Sequence, residues 1–558
     1  MTPSRSFRYT PSRVQVKTRF EIPPDRRDAA RAAAEIPGVW VDFAAEPPRI
    51  DIPANAFGLV KWAGDVSSPQ FSAYAGYGFD DGVLRAYQTR AMQFLYDAQR
   101  VVLADAMGLG KTRTAALAAW AFRQTLGRGP ILIIGPQHLR ESWRQELVRI
   151  GLLSDGADSR WCALRTVDKS SELAESLWNK DARFYFCHYE ILHAWWDRLY
   201  PLRPAASILD EAHLVKNWRT RRAQAVALAC GATPMRIVLT GTPLLNRPQE
   251  LYSLLSLATG KFTWGTPSEF LVRYCGGKKD KYGGVEHAAG LDTHQAELRA
   301  RLDTCFVRRT IEDVGLDLPP LTREPILVEP EREELKQYAS LFDGYDPRAI
   351  LDALLDRRGS TQTFAMLDRA RKLASGMKLR ATLRECESAL AAGEQVVVFT
   401  WLKAAAKYIA AESNALCITG EMSQDARDGT LAGFIERAEA RAPTLLAATY
   451  GSLSVGVNLQ CARIVLLHDL DWTPATLLQA EARAYRSGQT RPVLSKWMLA
   501  KGTLDEYLAS ILLAKADVIA KTLGDREPAR LADVLGAVKP ESAFERFFDD
   551  LERWRSAA

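Results

Sequence analysis

Short apolar runs recur along the chain at intervals that leave room for a helix between them. In the first half they fall at residues 101–104, 130–135, 184–187, 206–209 and 236–239, and in the second at 396–399, 416–419, 445–448, 464–467 and 493–498. Runs this short, without polar alternation, fit strands buried on both faces. Helix-prone stretches separate most of them. The pattern therefore predicts an α/β chain with a doubly wound parallel sheet in each half.

The flanking segments read differently. Residues 14–20 alternate apolar and polar, 25–35 are Ala-rich and helix-prone, and 38–43 and 49–53 read as two more strands. This predicts a small N-terminal α+β module over residues 1–63, followed by a polar, Gly- and Ser-containing linker over 64–83. The first lobe is placed at 84–258, and an irregular helical insertion and joint, ending in Leu318-Pro319-Pro320, at 259–320. A helical stretch at 321–390 leads into the second lobe at 391–500. A brace helix and tail fill 501–558.

Composition changes this picture little. The 558 residues are 47% apolar and 25% charged, as in globular chains of three or four domains. No run approaches the roughly 18 apolar residues of a membrane span, and the first thirty residues lack an apolar signal core. A cytoplasmic protein without membrane contact is expected. The eight cysteines are scattered, the nearest two, Cys162 and Cys187, being 25 residues apart, so no zinc-ligand spacing occurs. The net charge is +6, and Arg5, Arg8, Arg13, Lys17 and Arg19 precede any acidic residue. Such an end suits a polyanion; a solvated tail is the alternative reading.

The chemistry gathers where strands end. Asp105-Ala106-Met107-Gly108-Leu109-Gly110-Lys111-Thr112 lies between the 101–104 strand and a helix-prone run beginning at Lys111. Backbone N–H groups of such a loop and the positive helix N-terminus face phosphates, with Lys111 reaching the terminal pair and the Thr112 hydroxyl ligating Mg²⁺. The strict phosphate-loop pattern asks for Gly where this chain has Asp105. Asp210-Glu211 follows a second strand, and two adjacent carboxylates there divide the labour. Asp210 can hold the Mg²⁺ water shell while Glu211 accepts a proton from the attacking water. In the second half Gln479, Arg483 and Arg486 are spaced i, i+4, i+7, which predicts one helical stripe. Arg483 and Arg486 are the candidate arginine fingers.

With these residues in view, the chain resembles the Swi/Snf-type ATPases of helicase superfamily two over about residues 84–523. The resemblance is carried by Asp105 to Thr112, Gly135-Pro136 with Trp143 and Glu146, and Asp210-Glu211-Ala212-His213, which matches the DEAH box. Leu239-Thr240-Gly241-Thr242-Pro243 with Asn246, and Gln479 to Gln489, extend it. Ala106, Ala482 and Tyr485 depart from the family pattern. The resemblance accounts for Asp105, since the family loop carries Asp there. It implies two RecA-like lobes that close on ATP and Mg²⁺, with Gln88 at the adenine. Asp105, Met107, Gly108, Leu109, Gly110, Lys111, Thr112 and Gly456 would line the nucleotide. Phe270 to Cys275, Glu297-Leu298, Arg308-Arg309 and Asp313-Val314 resemble the annealing-helicase subgroup with a HARP module, to which residues 14–60 are also similar.

The implied activity is a DNA-dependent ATPase that translocates on double-stranded or branched DNA as a monomer and remodels forks or bound proteins. The loop after Pro136, Asn246, Thr400, Trp401, Gly451 and Ser452 are the candidate DNA contacts. Two other readings stay open: an RNA or DNA helicase of DEAH type, and a motor subunit of a restriction, defence or phage complex that needs a protein partner.

Overall fold

The computed structural model describes residues 17–21, 40–42, 49–53 and 84–556, apart from 165–177, 218–219, 242–248, 261–262, 280–284, 287–293, 317, 357–359, 454–456 and 524–539. The helix expected over 25–35, the linker at 64–83, Asn246 and Gly456 lie outside the described residues. Apart from loop residues 107–109, the chain divides into one compact unit up to Val314 and a second from Gly315. No described helix is long and apolar enough to cross a membrane.

Three N-terminal strands, β1 (Lys17–Glu21), β2 (Trp40–Asp42) and β3 (Arg49–Pro53), form an antiparallel sheet in the order β1-β3-β2. The main sheet of the first unit follows. Its strands are β4 (Arg100–Leu103), β5 (Ile131–Gly135), β6 (Trp161–Ala163), β7 (Phe184–His188), β8 (Ala206–Leu209) and β9 (Met235–Leu239). After a short hairpin, β10 (Lys278–Lys279) with β11 (Val285–Glu286), a last strand, β12 (Phe306–Val307), returns to this sheet. The order is β12-β4-β9-β8-β5-β7-β6, parallel throughout.

All of β5, β7, β8 and β9 is buried, which is why the sequence reads there as unbroken apolar runs. Strands β6 and β12 were not anticipated. Both are edge strands of two or three residues, too short to leave a periodic signal. β12 is nonetheless firmly held: Val102, Ala104 and Ala106 donate their N–H groups to the carbonyls of Cys305, Val307 and Arg309 at 2.8, 2.7 and 2.8 Å.

The second unit holds β13 (Leu321–Val328), β14 (Gln395–Thr400), β15 (Leu416–Ile418), β16 (Thr444–Thr449), β17 (Ile464–Leu467) and β18 (Val493–Ala500). They form a parallel sheet ordered β13-β18-β17-β14-β16-β15. β13 corrects the sequence reading, which ran helix from residue 321. It pairs with β18 over eight residues but sits at the sheet edge, where Pro325 can lack its N–H without breaking the ladder. Helices Arg332–Ser340, Pro347–Asp356 and Thr361–Ala391 come only after it.

The 31-residue helix Thr361–Ala391 starts at Ser360, whose hydroxyl accepts from the Thr363 N–H at 3.1 Å. It carries a charged group into the core. Lys378 is fully buried, with Nζ 2.7 Å from Asp505 Oδ2, 3.3 Å from Asp469 Oδ1 and 3.4 Å from the Met498 carbonyl. Asp469 also accepts from the hydroxyls of Thr400, at 2.5 Å, and Ser375, at 3.2 Å. His468 is clamped between Thr382 and Ser375 at 2.7 and 3.0 Å, and burial holds its pKa below the ordinary range. One polar knot thus ties the long helix to the ends of β14, β17 and β18.

Removing the cation from this knot leaves two buried carboxylates facing each other. Lys378→Met should destabilise the second unit by about 3–5 kcal/mol. The check is the urea midpoint of its unfolding transition; an unchanged midpoint would show that the knot contributes nothing.

Candidate active site

Every strand of the seven-stranded sheet points the same way, so all carboxyl ends meet at one edge. After β4 the chain turns through Gly108 and Gly110, at φ +81° and +76°, into helix Lys111–Leu126. These left-handed values favour glycine, and a Cβ on Gly110 would collide with Gln88 Nε2. Gln88 therefore lies against the loop. It is buried, and its Oε1 accepts from the Arg85 N–H at 2.9 Å. The helix N-terminus has no side-chain cap, which leaves its first N–H groups for an anion. Lys111 Nζ folds back onto the carbonyls of Asp105 and Ala106 at 2.8 and 3.2 Å, where a phosphate oxygen could replace them. Burial lowers the Lys111 pKa, while Glu211, Asp105 and Asp210 draw it up.

Asp210 and Glu211 follow β8, one strand beyond β9, and both are buried. Asp210 is held from three sides. Its N–H donates to the Ile134 carbonyl at 2.7 Å, the Trp143 indole Nε1–H donates to Oδ2 at 2.8 Å, and the Tyr189 hydroxyl donates to its carbonyl at 2.6 Å. Gly135 faces it so closely that a Cβ there would lie 3.3 Å from the Asp210 Cβ. Burial and the neighbouring Glu211 raise the Asp210 pKa. Glu211 adopts φ 49°, ψ 49°, a conformation costly for a residue with a Cβ. Its Oε2 lies 3.2 Å from His213 Nδ1. The donor set of Thr112 hydroxyl and Asp210 carboxylate fits Mg²⁺, which prefers few protein oxygens alongside water and phosphate.

Two functional partners were missed by reasoning from the sequence. Trp143 was singled out only as part of a motif, yet it orients Asp210. Arg309 was noted only as a subgroup feature, yet its guanidinium binds Asp105 bidentately, with Nε 3.0 Å from Oδ1, and reaches the Tyr87 carbonyl. Arg308 donates to the Ala104 carbonyl at 2.9 Å. Asp105 is 1% exposed, so the residue standing where a phosphate-loop Gly was expected is a buried anchor of the loop. No local signal could have paired residues 204 positions apart.

The second unit places the other candidates variously. Arg483 is buried at the end of helix Pro474–Ala484, but Arg486 lies beyond the helix, so the single stripe of Gln479, Arg483 and Arg486 is corrected. The cause is Gln489. Its amide donates to the carbonyls of Ala484, Gln460 and Ala462 at 3.2, 3.0 and 3.1 Å and ends the helix before Arg486. Glu481 is held by Arg323, with Nη2 2.8 Å from Oε2, and by the Trp497 indole N–H at 3.1 Å.

Of the proposed DNA contacts, Pro136 is buried at the end of β5, and Thr400 is buried with its hydroxyl on Asp469. Trp401 lies 4.3 Å from the Arg371 guanidinium, which is also 4.9 Å from Trp472. Gly451 is exposed, and the Ser452 hydroxyl lies 2.8 Å from each of the carbonyls of Ile418 and Thr449, its one proton serving either.

Arg309→Ala strands a buried carboxylate beneath the loop and should cost about 3–5 kcal/mol while weakening nucleotide binding. Lysine cannot supply the forked contact, so Arg309→Lys should rescue little. Calorimetric ATP titration of both variants checks this; wild-type affinity in either would sink the anchoring role.

The SNF2-related domain matches residues 87–386, and the helicase conserved C-terminal domain matches residues 377–488. The SWI/SNF-related matrix-associated actin-dependent regulator of chromatin subfamily A-like protein 1 of Drosophila melanogaster is 26% identical, over 76% of this chain and 53% of that protein. The DNA annealing helicase and endonuclease ZRANB3 of Bos taurus is 27% identical, over 77% of this chain and 39% of that protein. The Sulfolobus solfataricus SWI2/SNF2 ATPase core in complex with dsDNA is 22% identical, covering 85% of this chain and 96% of that one, at a TM-score of 0.37. The chain spans about half the length of the curated relatives it matches. With more than half of its residues inside that domain, the chain belongs to the SNF2-related family.

Proposed function

We propose that the chain is an ATPase that moves along double-stranded DNA and remodels branched DNA or DNA-bound proteins. The observation that carries the reading is the convergence, at the carboxyl ends of one parallel sheet, of the Gly108–Gly110 turn with Lys111 after β4 and the buried Asp210-Glu211 pair after β8. A cation and two separately held carboxylates are what phosphoryl transfer to water needs. The names of the relatives, chromatin regulator and annealing helicase, support DNA as the partner.

In this reading the loop amides and Lys111 hold the terminal phosphates, and Gln88 reads the base edge beside Gly110. Thr112 and Asp210 would hold Mg²⁺, which when bound neutralises charge on the phosphate oxygens. Trp143 fixes the Asp210 carboxylate in its orientation, and Glu211, aimed by its left-handed backbone, accepts the proton of the attacking water. Arg483 and Arg486 supply positive charge to the transition state.

The roles separate by mutation. Lys111→Ala should lose nucleotide affinity and turnover together, whereas Glu211→Gln should bind ATP with Mg²⁺ normally and fail to hydrolyse it. Arg483→Ala and Arg486→Ala should each lower kcat by on the order of a hundredfold or more with Kd nearly unchanged. Calorimetry and steady-state ATPase rates on duplex, single-stranded DNA and RNA test the whole reading. Stimulation by RNA alone would overturn the choice of DNA.

A further inference from the structure

The seven-stranded sheet has a second edge, where its parallel strands begin, and arginines collect there. Arg183 precedes β7, Arg128 lies in the turn before β5, Arg203 precedes β8, and Arg100 opens β4. Backbone bonds hold the first three starts side by side: Ile131 N–H donates to the Arg183 carbonyl and Ala205 N–H to the Pro130 carbonyl, both at 2.8 Å. Arg123, in the last turn of helix Lys111–Leu126, comes back to the same edge. Its guanidinium lies 5.2 Å, and that of Arg183 5.9 Å, from the centre of the Trp120 indole, which stacks on Phe184 at 5.5 Å.

None of these five arginines makes an ion pair among the described residues. Arg160 is paired with Asp158, and Arg236 is spent on the carbonyls of Thr233 and Gly231. Arg123 Nε is buried without an acceptor, and burial together with Arg183 lowers its pKa. The carboxylates close by in sequence, Asp97 and Asp181, pair with none of them. Like charges held together uncompensated cost free energy that a bound polyanion would return.

We infer that this arginine row is a second binding site for the phosphate backbone of duplex DNA, on the sheet edge opposite the nucleotide. The inference rests on the DNA reading above and adds a site that the ATPase machinery does not use. Strands lie about 4.8 Å apart, so from β7 through β5, β8 and β9 to β4 the row spans roughly 19 Å. That length matches about five or six base pairs at 3.4 Å of rise each. Guanidinium forks pair bidentately with phosphate and carry no sequence information, so the contact is indifferent to sequence. The nucleotide edge is a full strand length away. DNA held here is another segment or arm than any engaged at that edge, and it would raise the local concentration of branched substrates.

The test uses the full chain carrying Arg128→Ser, Arg183→Ser and Arg203→Ser together, with the corresponding triple Lys variant as control. Duplex affinity is measured between about 50 and 200 mM salt, alongside duplex-stimulated ATPase. The Ser variant should lower the slope of log affinity against log salt by roughly 2 to 3, at about 0.9 per lost contact, with kcat at saturating duplex unchanged. The Lys variant should keep most of the slope. An unchanged slope in the Ser variant overturns the inference, and so does a Lys variant as weak as Ser, since the arginines would then be structural. Loss of polyglutamate binding with duplex affinity intact would mean an acidic protein partner, and also overturns it. If duplex fails to stimulate the wild-type ATPase, the motor reading falls; stimulation with an unaltered slope removes this site alone.

Discussion

Strand direction is the constraint on which the rest of the structure depends. Parallel neighbours cannot be joined by a tight turn, so each strand is followed by a crossover that carries the chain back to its starting edge. Each of the two parallel sheets therefore has one edge of strand ends and one of strand starts. In the first unit the ends carry the Gly108–Gly110 turn, Lys111 and the Asp210-Glu211 pair, while the starts carry Arg183, Arg128, Arg203 and Arg100. In the second unit the ends of β14, β17 and β18 carry Thr400, His468-Asp469 and the turn into Asp505. Opposite chemistries separate by about one strand length without any device beyond topology.

Concentrating polar groups at a buried edge has an electrostatic cost, and the chain offsets it by pairing across long sequence distances. Asp105 takes Arg309, Lys378 takes Asp469 and Asp505, and Glu481 takes Arg323. None of these pairs is chiefly a source of stability, because desolvating both partners consumes most of the Coulomb gain. Their value is positional. Each fixes a carboxylate or cation whose displacement by an ångström would misalign a loop, and each becomes strongly unfavourable if one partner leaves.

What was legible in the sequence follows from the range of the physics. Ten strands announced themselves because buried parallel strands need an unbroken apolar run. The phosphate loop announced itself because a close turn demands glycine at fixed offsets. Strand β13 did not, because an edge strand with one exposed face and a proline carries no such run. The end of helix Pro474–Ala484 was hidden as well, since the amide that terminates it belongs to Gln489, in the turn beyond. Trp143 and Arg309 escaped because their roles exist only when chain segments 67 and 204 residues apart are brought together.

Arg309 also gives the insertion between the main strands of the first unit a mechanical meaning. Helices Pro267–Tyr274 and Gln295–Leu302 are joined through Glu297, which accepts from Arg273 Nε at 3.1 Å and from the Tyr274 hydroxyl at 2.7 Å. The chain then runs directly into β12, whose segment from Cys305 to Arg309 accepts three backbone bonds from the strand and loop of β4. Arg308 and Arg309 extend that ladder into the phosphate loop itself. A displacement of the insertion cannot be absorbed by a slack linker, because β12 begins only four residues after the second helix ends. It must either break those bonds or move the loop that holds Lys111. The end of the insertion is thus tied through β12 and Arg309 to the loop that carries Asp105.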